Sequence, residues 1–401
     1  MRGCVPRQVG SEVPTPAAAY LQEHTRAHVI VSRHRHGVQA RLIRHPSGRA
    51  SGGLPDPRAR RGRRHPVRAL VAVALCAVLT GARSFTAIAE WARDAGRTRL
   101  RRLGMMRRAA DEATFRRVLT RLDPAALQEA FGVWSLTRAR CSGGRRVYAI
   151  DGKSLRGARK KGAARAFLVA ALDHATGTVA AQTAVDTKGS EITAARVLIG
   201  LLDLTGAVLT LDALHTNNAT ASQILAAGAH YVLTVKGNSR LLFRMLKALP
   251  WAQIPATTTT ETGHGRRATR TIKVLDAPAW IEFTGAAQVA QLRRTVTRKG
   301  KKTVEVVYLV TSADARTASS ETLATWAHTH WSIENRLHWV RDVTFDEDRC
   351  QIHTGHAPQN MAALRNTAIA ILRHAGWDNI AQALRHHARD IDRPIHALLQ
   401  S

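Results

Sequence analysis

The stretch Arg145-Arg146-Val147-Tyr148-Ala149-Ile150-Asp151 is a short apolar run that ends on an acid, and Ala207-Val208-Leu209-Thr210-Leu211-Asp212 repeats the pattern. Runs this short and this apolar predict strands covered on both faces, as at the centre of a mixed sheet. An Asp that closes such a strand is held on rigid backbone and points out of the sheet edge. A third acid, Glu334, lies within Trp331-Ser332-Ile333-Glu334-Asn335, in a long predicted helix that opens at Ser319-Ser320-Glu321. Two strand-end carboxylates and one helix-borne carboxylate suit a pair of Mg²⁺ ions, for which Mn²⁺ can substitute. Magnesium takes hard oxygen ligands and keeps positions free for phosphate and water.

Around these runs the pattern alternates between strand and helix. Val147 to Asp151, Ala166 to Leu172 and Val179 to Val185 read as three strands, with turns at Gly157 to Gly162 and Thr176-Gly177. A helix (Glu191 to Leu204), a strand (Ala207 to Leu211), a helix (Asn217 to Ala227), a strand (His230 to Val235) and a helix (Ser239 to Leu249) follow. That order predicts an α/β fold with an RNase H-like core, a mixed sheet flanked by helices. Thr257 to Thr260, Arg270 to Leu275, Val289 to Thr297 and Thr303 to Val310 predict a β-rich insertion over about 255–312, with a basic turn at Lys299-Gly300-Lys301-Lys302.

The domain reading is as follows. Residues 1–64 form a basic extension without sustained period, expected to be disordered. It either embraces DNA phosphates or has no function, and a metal site at His34 and His36 is disfavoured. Residues 65–140 read as a helical domain with helices at Val67 to Leu79, Phe85 to Ala95 (Ser84 as N-cap), Ala113 to Leu122 and Ala125 to Trp134. Residues 145–375 are the catalytic domain, and 376–401 a basic helical tail.

The chain of 401 residues holds 60 Lys and Arg against 29 Asp and Glu, a net charge of +31. Such an imbalance points to a polyanionic partner, here double-stranded DNA. The plain alternative for the Arg excess is the codon usage of a GC-rich genome. Cys4, Cys76, Cys141 and Cys350 show no metal-ligand spacing and read as reduced thiols. The longest apolar stretch, Ala69 to Leu79, is too short to span a bilayer. No secretory signal is evident, so no membrane partner is expected and the cytoplasm, close to the nucleoid, is the expected location.

Each acid also has a plain alternative: Asp151 before Gly152 as a turn residue, Asp212 as an N-cap, Glu334 as a surface ion-pair partner. Asp342, Asp346, Glu347 and Asp348 are rivals for the third position. Lys153 and Lys236 follow strands at the expected active edge and are candidate phosphate contacts, as is Arg266 on the insertion. Trp331 and Trp339 read as packing residues.

The flanking motifs narrow the choice. Asp151-Gly152-Lys153-Ser154-Leu155-Arg156-Gly157, Leu211-Asp212-Ala213-Leu214 and His330-Trp331-Ser332-Ile333-Glu334-Asn335-Arg336-Leu337-His338-Trp339 resemble those of bacterial insertion-sequence DDE transposases. The group is the H-repeat-associated one, in the IS-four-like superfamily. Ser190-Glu191-Ile192-Thr193, Val235-Lys236-Gly237-Asn238, Gly263-His264-Gly265-Arg266 and Val343-Thr344-Phe345-Asp346-Glu347-Asp348 also match, and the resemblance spans roughly 58–375. It implies that Asp151, Asp212 and Glu334 form the catalytic and metal-binding triad. It further implies binding to terminal inverted repeats, Mg²⁺-dependent cutting, strand transfer, and a homodimer on paired ends. The superfamily surrounds its Glu with a Tyr seven before, an Arg four before and a Lys seven after. Here Ala327, His330 and Arg341 stand there, with His330, Arg341 and the nearby His338 as candidate DNA contacts. The readings that stand beside this one are a junction-cutting nuclease of the same fold and an inactive DNA-binding relic.

Overall fold

The apolar run from Val147 forms β1 (Val147–Ser154) in the computed structural model, which describes residues 54–136, 145–158, 167–185, 191–263 and 265–400. β1 pairs antiparallel with β2 (Phe167–Asp173), and β2 with β3 (Val179–Val185). On its other side β1 pairs in parallel with β4 (Val208–Leu211), and β4 with β5 (His230–Val235). All four β4 residues are buried, as a centre strand covered on both faces must be. The five strands follow the chain order expected from the sequence and form a mixed sheet in the order β3-β2-β1-β4-β5, an RNase H-like arrangement.

The β-rich insertion extends this same sheet. β6 (Ala256–Gly263), β7 (Arg266–Asp276), β8 (Gln288–Arg298) and β9 (Lys301–Thr311) form an antiparallel meander whose last strand pairs with β5. The result is one nine-stranded sheet, β3-β2-β1-β4-β5-β9-β8-β7-β6. Lys299 (φ 48°) and Gly300 (φ 75°) make the two-residue turn between Arg298 and Lys301. Positive φ at both central positions gives the turn whose twist matches that of the flanking strands.

Strand alternation divides the core. Leu209 and Leu211 of β4 share one cluster with Ala194 and Leu198 of α5 (Glu191–Leu201), Ile224 of α6 (Asn218–Ala226) and Leu246 of α7 (Arg240–Lys247). Val208 faces the opposite cluster, with Leu323 and Trp326 of α8 (Ser320–His330).

Before β1 come α1 (Val67–Leu79), α2 (Phe85–Arg102), α3 (Glu112–Arg121) and α4 (Pro124–Leu136). Ser84 caps α2 by accepting from the Ala87 N–H at 3.1 Å. The expected stop after Ala95 corresponds to a kink at Gly96 (φ 72°), beyond which the helix resumes. From 357 the chain forms α9 (Ala357–His374), α10 (Ile380–Ala388) and α11 (Asp392–Gln400). α9 is buried from Ala357 through Leu372 apart from Gln359, and touches α1, α3 and α4. The Asn360 amide donates to the carbonyls of Leu119 (2.8 Å) and Leu122 (2.9 Å), tying α9 to the end of α3. Arg99 clamps Asp392 through two bonds of 2.9 and 2.6 Å, linking α2 to α11. Pro55–Ser401 is one compact unit. Of the thiols, Cys76 and Cys350 are free, and Cys4 and Cys141 lie outside the described residues, as do His34, His36 and residues 1–53. No helix among the described residues is long and apolar enough to cross a membrane.

The helix expected to run through Glu334 ends at His330. The chain then winds in two wider turns, Glu334–His338 and Val340–Thr344. There the Trp339 N–H bonds to Glu334 O and the Phe345 N–H to Val340 O, the i→i+5 pattern of a π-helix. A buried ion triad anchors this segment. Glu347 accepts from Arg341 Nε at 2.8 Å, lies 2.7 Å from its Nη2, and accepts from Arg365 of α9 at 2.7 Å. Burial would raise the Glu347 carboxyl, but the two guanidinium groups pull it down to about 2. Its stabilisation is therefore present above the ordinary Glu range and persists until the pH falls towards 2.

Removing the shared anion leaves two buried guanidinium groups facing each other without a counter-charge. Glu347→Gln is expected to cost about 3–5 kcal/mol in denaturant unfolding. A loss below about 1 kcal/mol would show that the triad does not anchor the segment.

Candidate active site

The registers of β1 and β4 bring the first two acids together. Their last parallel pair is Ile150 with Leu211, so Asp151 and Asp212 occupy the next position on each strand. β4 stops there, whereas β1 runs on to Ser154 because β2 still pairs with it, Asp151 opposite Ala170. Asp151 is thus mid-strand on one side and at an open edge on the other. The Asp151 carboxylate accepts from the Gly152 N–H at 2.9 Å. Asp212 accepts from the Leu214 N–H at 2.9 Å and caps the short turn Ala213–His215. The N-cap reading and the site reading of Asp212 are compatible, since only one oxygen is so engaged.

The π-helical winding delivers Glu334 through an imidazole. His338 Nδ1 lies 3.1 Å from Glu334 Oε2 and 3.6 Å from Asp151 Oδ2. One ligand atom each from Asp151, Glu334 and His338 falls within 4.8 Å of the others. Burial raises the Asp151 carboxyl to about 6 against the pull of His338, and Asp212 and Glu191 push the same way. The hydrogen bond with His338 holds the Glu334 carboxyl below its ordinary range. Carboxylates that crowd together with an imidazole beside them are a donor set suited to a divalent cation.

The rival acids are otherwise engaged. Both Asp342 oxygens lie 2.6 Å from Lys153 Nζ. Asp346 pairs with Arg83 at 3.1 Å, Asp348 with Arg156 at 3.6 Å, and Glu347 is buried between its two arginines.

The expected DNA contacts divide. Lys236 is exposed at the end of β5, 5.9 Å above the Trp331 ring. His338 faces the acids, as described. Lys153 is 9% exposed and bound to Asp342, so its charge is directed at that acid and not at an incoming phosphate. Arg341 is 1% exposed and turned into the core. The wider winding rotates the chain less per residue, so an offset of seven no longer returns to the face of Glu334. His330 is buried too, its Nδ1 2.9 Å from Thr210 Oγ1. Burial pushes it down to about 4, leaving it uncharged at neutral pH. Neither Arg341 nor His330 can reach a phosphate as placed. Arg266 is exposed at the far end of β7, five strands from β1, or about 24 Å at ordinary strand spacing. It belongs to the sheet extension and not to the acid cluster. The neighbouring His264 lies outside the described residues.

Two further residues at the site were given no role by sequence reasoning, although Glu191 lies in the matching motif Ser190-Glu191-Ile192-Thr193. Glu191, first in α5, and His215, after Asp212, lie 3.6 Å apart and buried. An acid opening an apolar helix reads as dipole compensation, which hid Glu191. Trp331 and Trp339, read as packing residues, are 50% and 54% exposed.

The family described as "Transposase DDE domain" matches residues 142–371, and that described as "DDE_Tnp_1-associated" matches 52–135. The chain is 32% identical over 343 residues to "Putative protein YbfL" of Escherichia coli K12, covering 80% of this chain and 88% of that one. It is 31% identical over the same length, with the same coverage, to "H repeat-associated putative transposase YhhI" of that strain. A cryo-EM structure of a piggyBac transposase synaptic complex with hairpin DNA aligns with a TM-score of 0.41 and 13% identity, over 84% of this chain and 72% of that one.

Because the folded pKa of Asp151 is raised from 3.8 to about 6, its contribution to stability is present below about pH 4 and is lost as the pH rises through 6. Metal-free Asp151→Asn protein is therefore expected to be more stable than wild type at pH 7, by about 1–3 kcal/mol, with the gap closing near pH 4. Denaturant unfolding in EDTA across that range measures it. An Asn variant less stable than wild type at pH 7 contradicts the assignment.

Proposed function

We propose, for a chain that belongs to the DDE transposase family, that it cuts DNA at the terminal inverted repeats of its own element and joins the freed ends to target DNA. The observation that carries this reading is the continued register of β1 and β4, which leaves Asp151 and Asp212 side by side while His338 links Asp151 to Glu334.

In this reading Asp151, Asp212 and Glu334 hold Mg²⁺, or Mn²⁺ in its stead. Such ions neutralise charge on the scissile phosphate and make bound water a nucleophile near neutral pH. The chain's own groups do the rest. Asp151 and Asp212 are held by strand backbone and cannot swing away from the phosphate. Glu334 is kept ionised and aimed by His338. In the first reaction the water oxygen bonds to phosphorus and the 3′ oxygen leaves with a proton. In the second that 3′-OH attacks a target phosphate and displaces another 3′ oxygen. One phosphodiester is exchanged for another, so no nucleotide triphosphate is required.

Affinity comes from the net charge of +31. Lys236 is suited to a phosphate beside the acids. Arg266 and Arg267, with Arg298, Lys299, Lys301 and Lys302 across the strand ends, form an exposed basic tip suited to a more distant stretch of duplex. A homodimer on paired ends and a cytoplasmic, nucleoid-associated location complete the proposal.

The test is Mg²⁺-dependent nicking of labelled duplexes carrying the element's ends. Asp151→Ala and Glu334→Gln are each expected to lower cleavage by more than about 100-fold while duplex binding is kept. Cleavage by Glu334→Gln at the wild-type rate would take the third acid's role from Glu334. Cutting of branched DNA without joining would replace transposition with junction cleavage.

A further inference from the structure

Behind Asp151 lies an acid that the triad does not use. Glu191 opens α5 with its side chain only 7% exposed. Gly152 makes room for it: a Cβ there would fall 2.7 Å from Glu191 Cδ and 2.5 Å from the Phe167 ring. Glycine in the middle of β1 thus lets the start of α5 come up against the strand beside Asp151.

Among the described residues, the one ion partner of Glu191 is His215, whose Nε2 lies 3.6 Å from Oε1. That is too long for a hydrogen bond. The same Nε2 lies 3.9 Å from Asp212 Oδ1. His215 is fully buried, and neither ring nitrogen has a hydrogen-bond partner. Buried polar groups are nearly always satisfied, and a carboxylate out of water costs stability unless a cation answers it. A dipole-compensating acid at a helix start needs no burial and no facing imidazole, so that role does not account for the arrangement.

We propose that Glu191 is a fourth carboxylate ligand of the metal site, acting on an ion shared with Asp151 and Asp212. The inference rests on the reading of Asp151 and Asp212 as metal ligands. Asp151 is reached from one side by Glu334 through His338 and from the other by Glu191 across Gly152. Asp151, Glu334 and His338 form the tight group, and beside it Glu191 and Asp212 face one imidazole, that of His215.

Mn²⁺ titration of the full chain, followed by the EPR signal of the free ion, tests this alongside thermal unfolding in EDTA. Glu191→Gln is expected to weaken Mn²⁺ binding by about 10–100-fold, the range for groups around a bound ion, without lowering the unfolding temperature of the metal-free protein. Wild-type Mn²⁺ affinity in Glu191→Gln, with affinity lost in Asp151→Asn, overturns the inference and leaves the triad standing. Wild-type affinity in both variants, or no Mn²⁺ binding by the wild type, removes the triad reading as well. A lower metal-free unfolding temperature in Glu191→Gln makes the carboxylate a structural group and overturns the inference.

Discussion

The molecule depends on a difference in strand length at the centre of its sheet. β4 has four residues and β1 has eight. Where β4 stops, one edge of β1 is uncovered although its other edge remains paired, and both strands place an aspartate at that step. Backbone hydrogen bonds make the position rigid, and rigidity here works against stability. Burial, with the charges of Asp212 and Glu191 pushing the same way, raises the Asp151 carboxyl in this notch. The buried triad around Glu347, the helix clamp on Asp392 and the nine-stranded sheet hold this unfavourable arrangement in place.

The distribution of cations sharpens the contrast. The chain has about twice as many basic as acidic residues, yet no lysine or arginine pairs with Asp151, Asp212, Glu191 or Glu334 among the described residues. The nearby cations are bound elsewhere: Lys153 to Asp342, Arg341 to Glu347, Arg156 to Asp348. Each of these pairs keeps a positive charge close to the site while preventing it from closing over the acids. The acids face the imidazoles of His338 and His215 instead.

Much of this was legible in the residues. Apolar runs of four to six located the central strands, because buried strands admit little else. Ser84 marked its helix start through a cap bond, whereas the stop read before Gly96 is only a kink at positive φ within a longer helix. The β-branched runs of the insertion gave four strands, but their pairing with β5 was not readable, since period and propensity say nothing about which edge a meander joins. α9 falls within the expected catalytic domain, but its central packing was not readable: the long stem of Arg365 lets its head lie buried against Glu347. Glu191 was hidden because its role depends on Gly152, which lies far off in sequence and is informative only by what it lacks.

The segment 331–345 shows where helix-face reasoning breaks down. On an α-helix, positions seven apart share a face, and Arg341 would stand beside Glu334. The i→i+5 bonds at Trp339 and Phe345 widen the turn and change which residues align. His338 then falls against both Glu334 and Asp151, Arg341 turns inward to Glu347, and Trp331, Trp339 and Val343 face outward, each at least half exposed. A single change in winding thus gives the segment three separate faces, one for the acids, one for the core and one for whatever lies over the site. π turns are rare because their hydrogen-bond geometry is poorer, and here the inward face, through Glu347 and its two arginines, supplies the interaction that holds them.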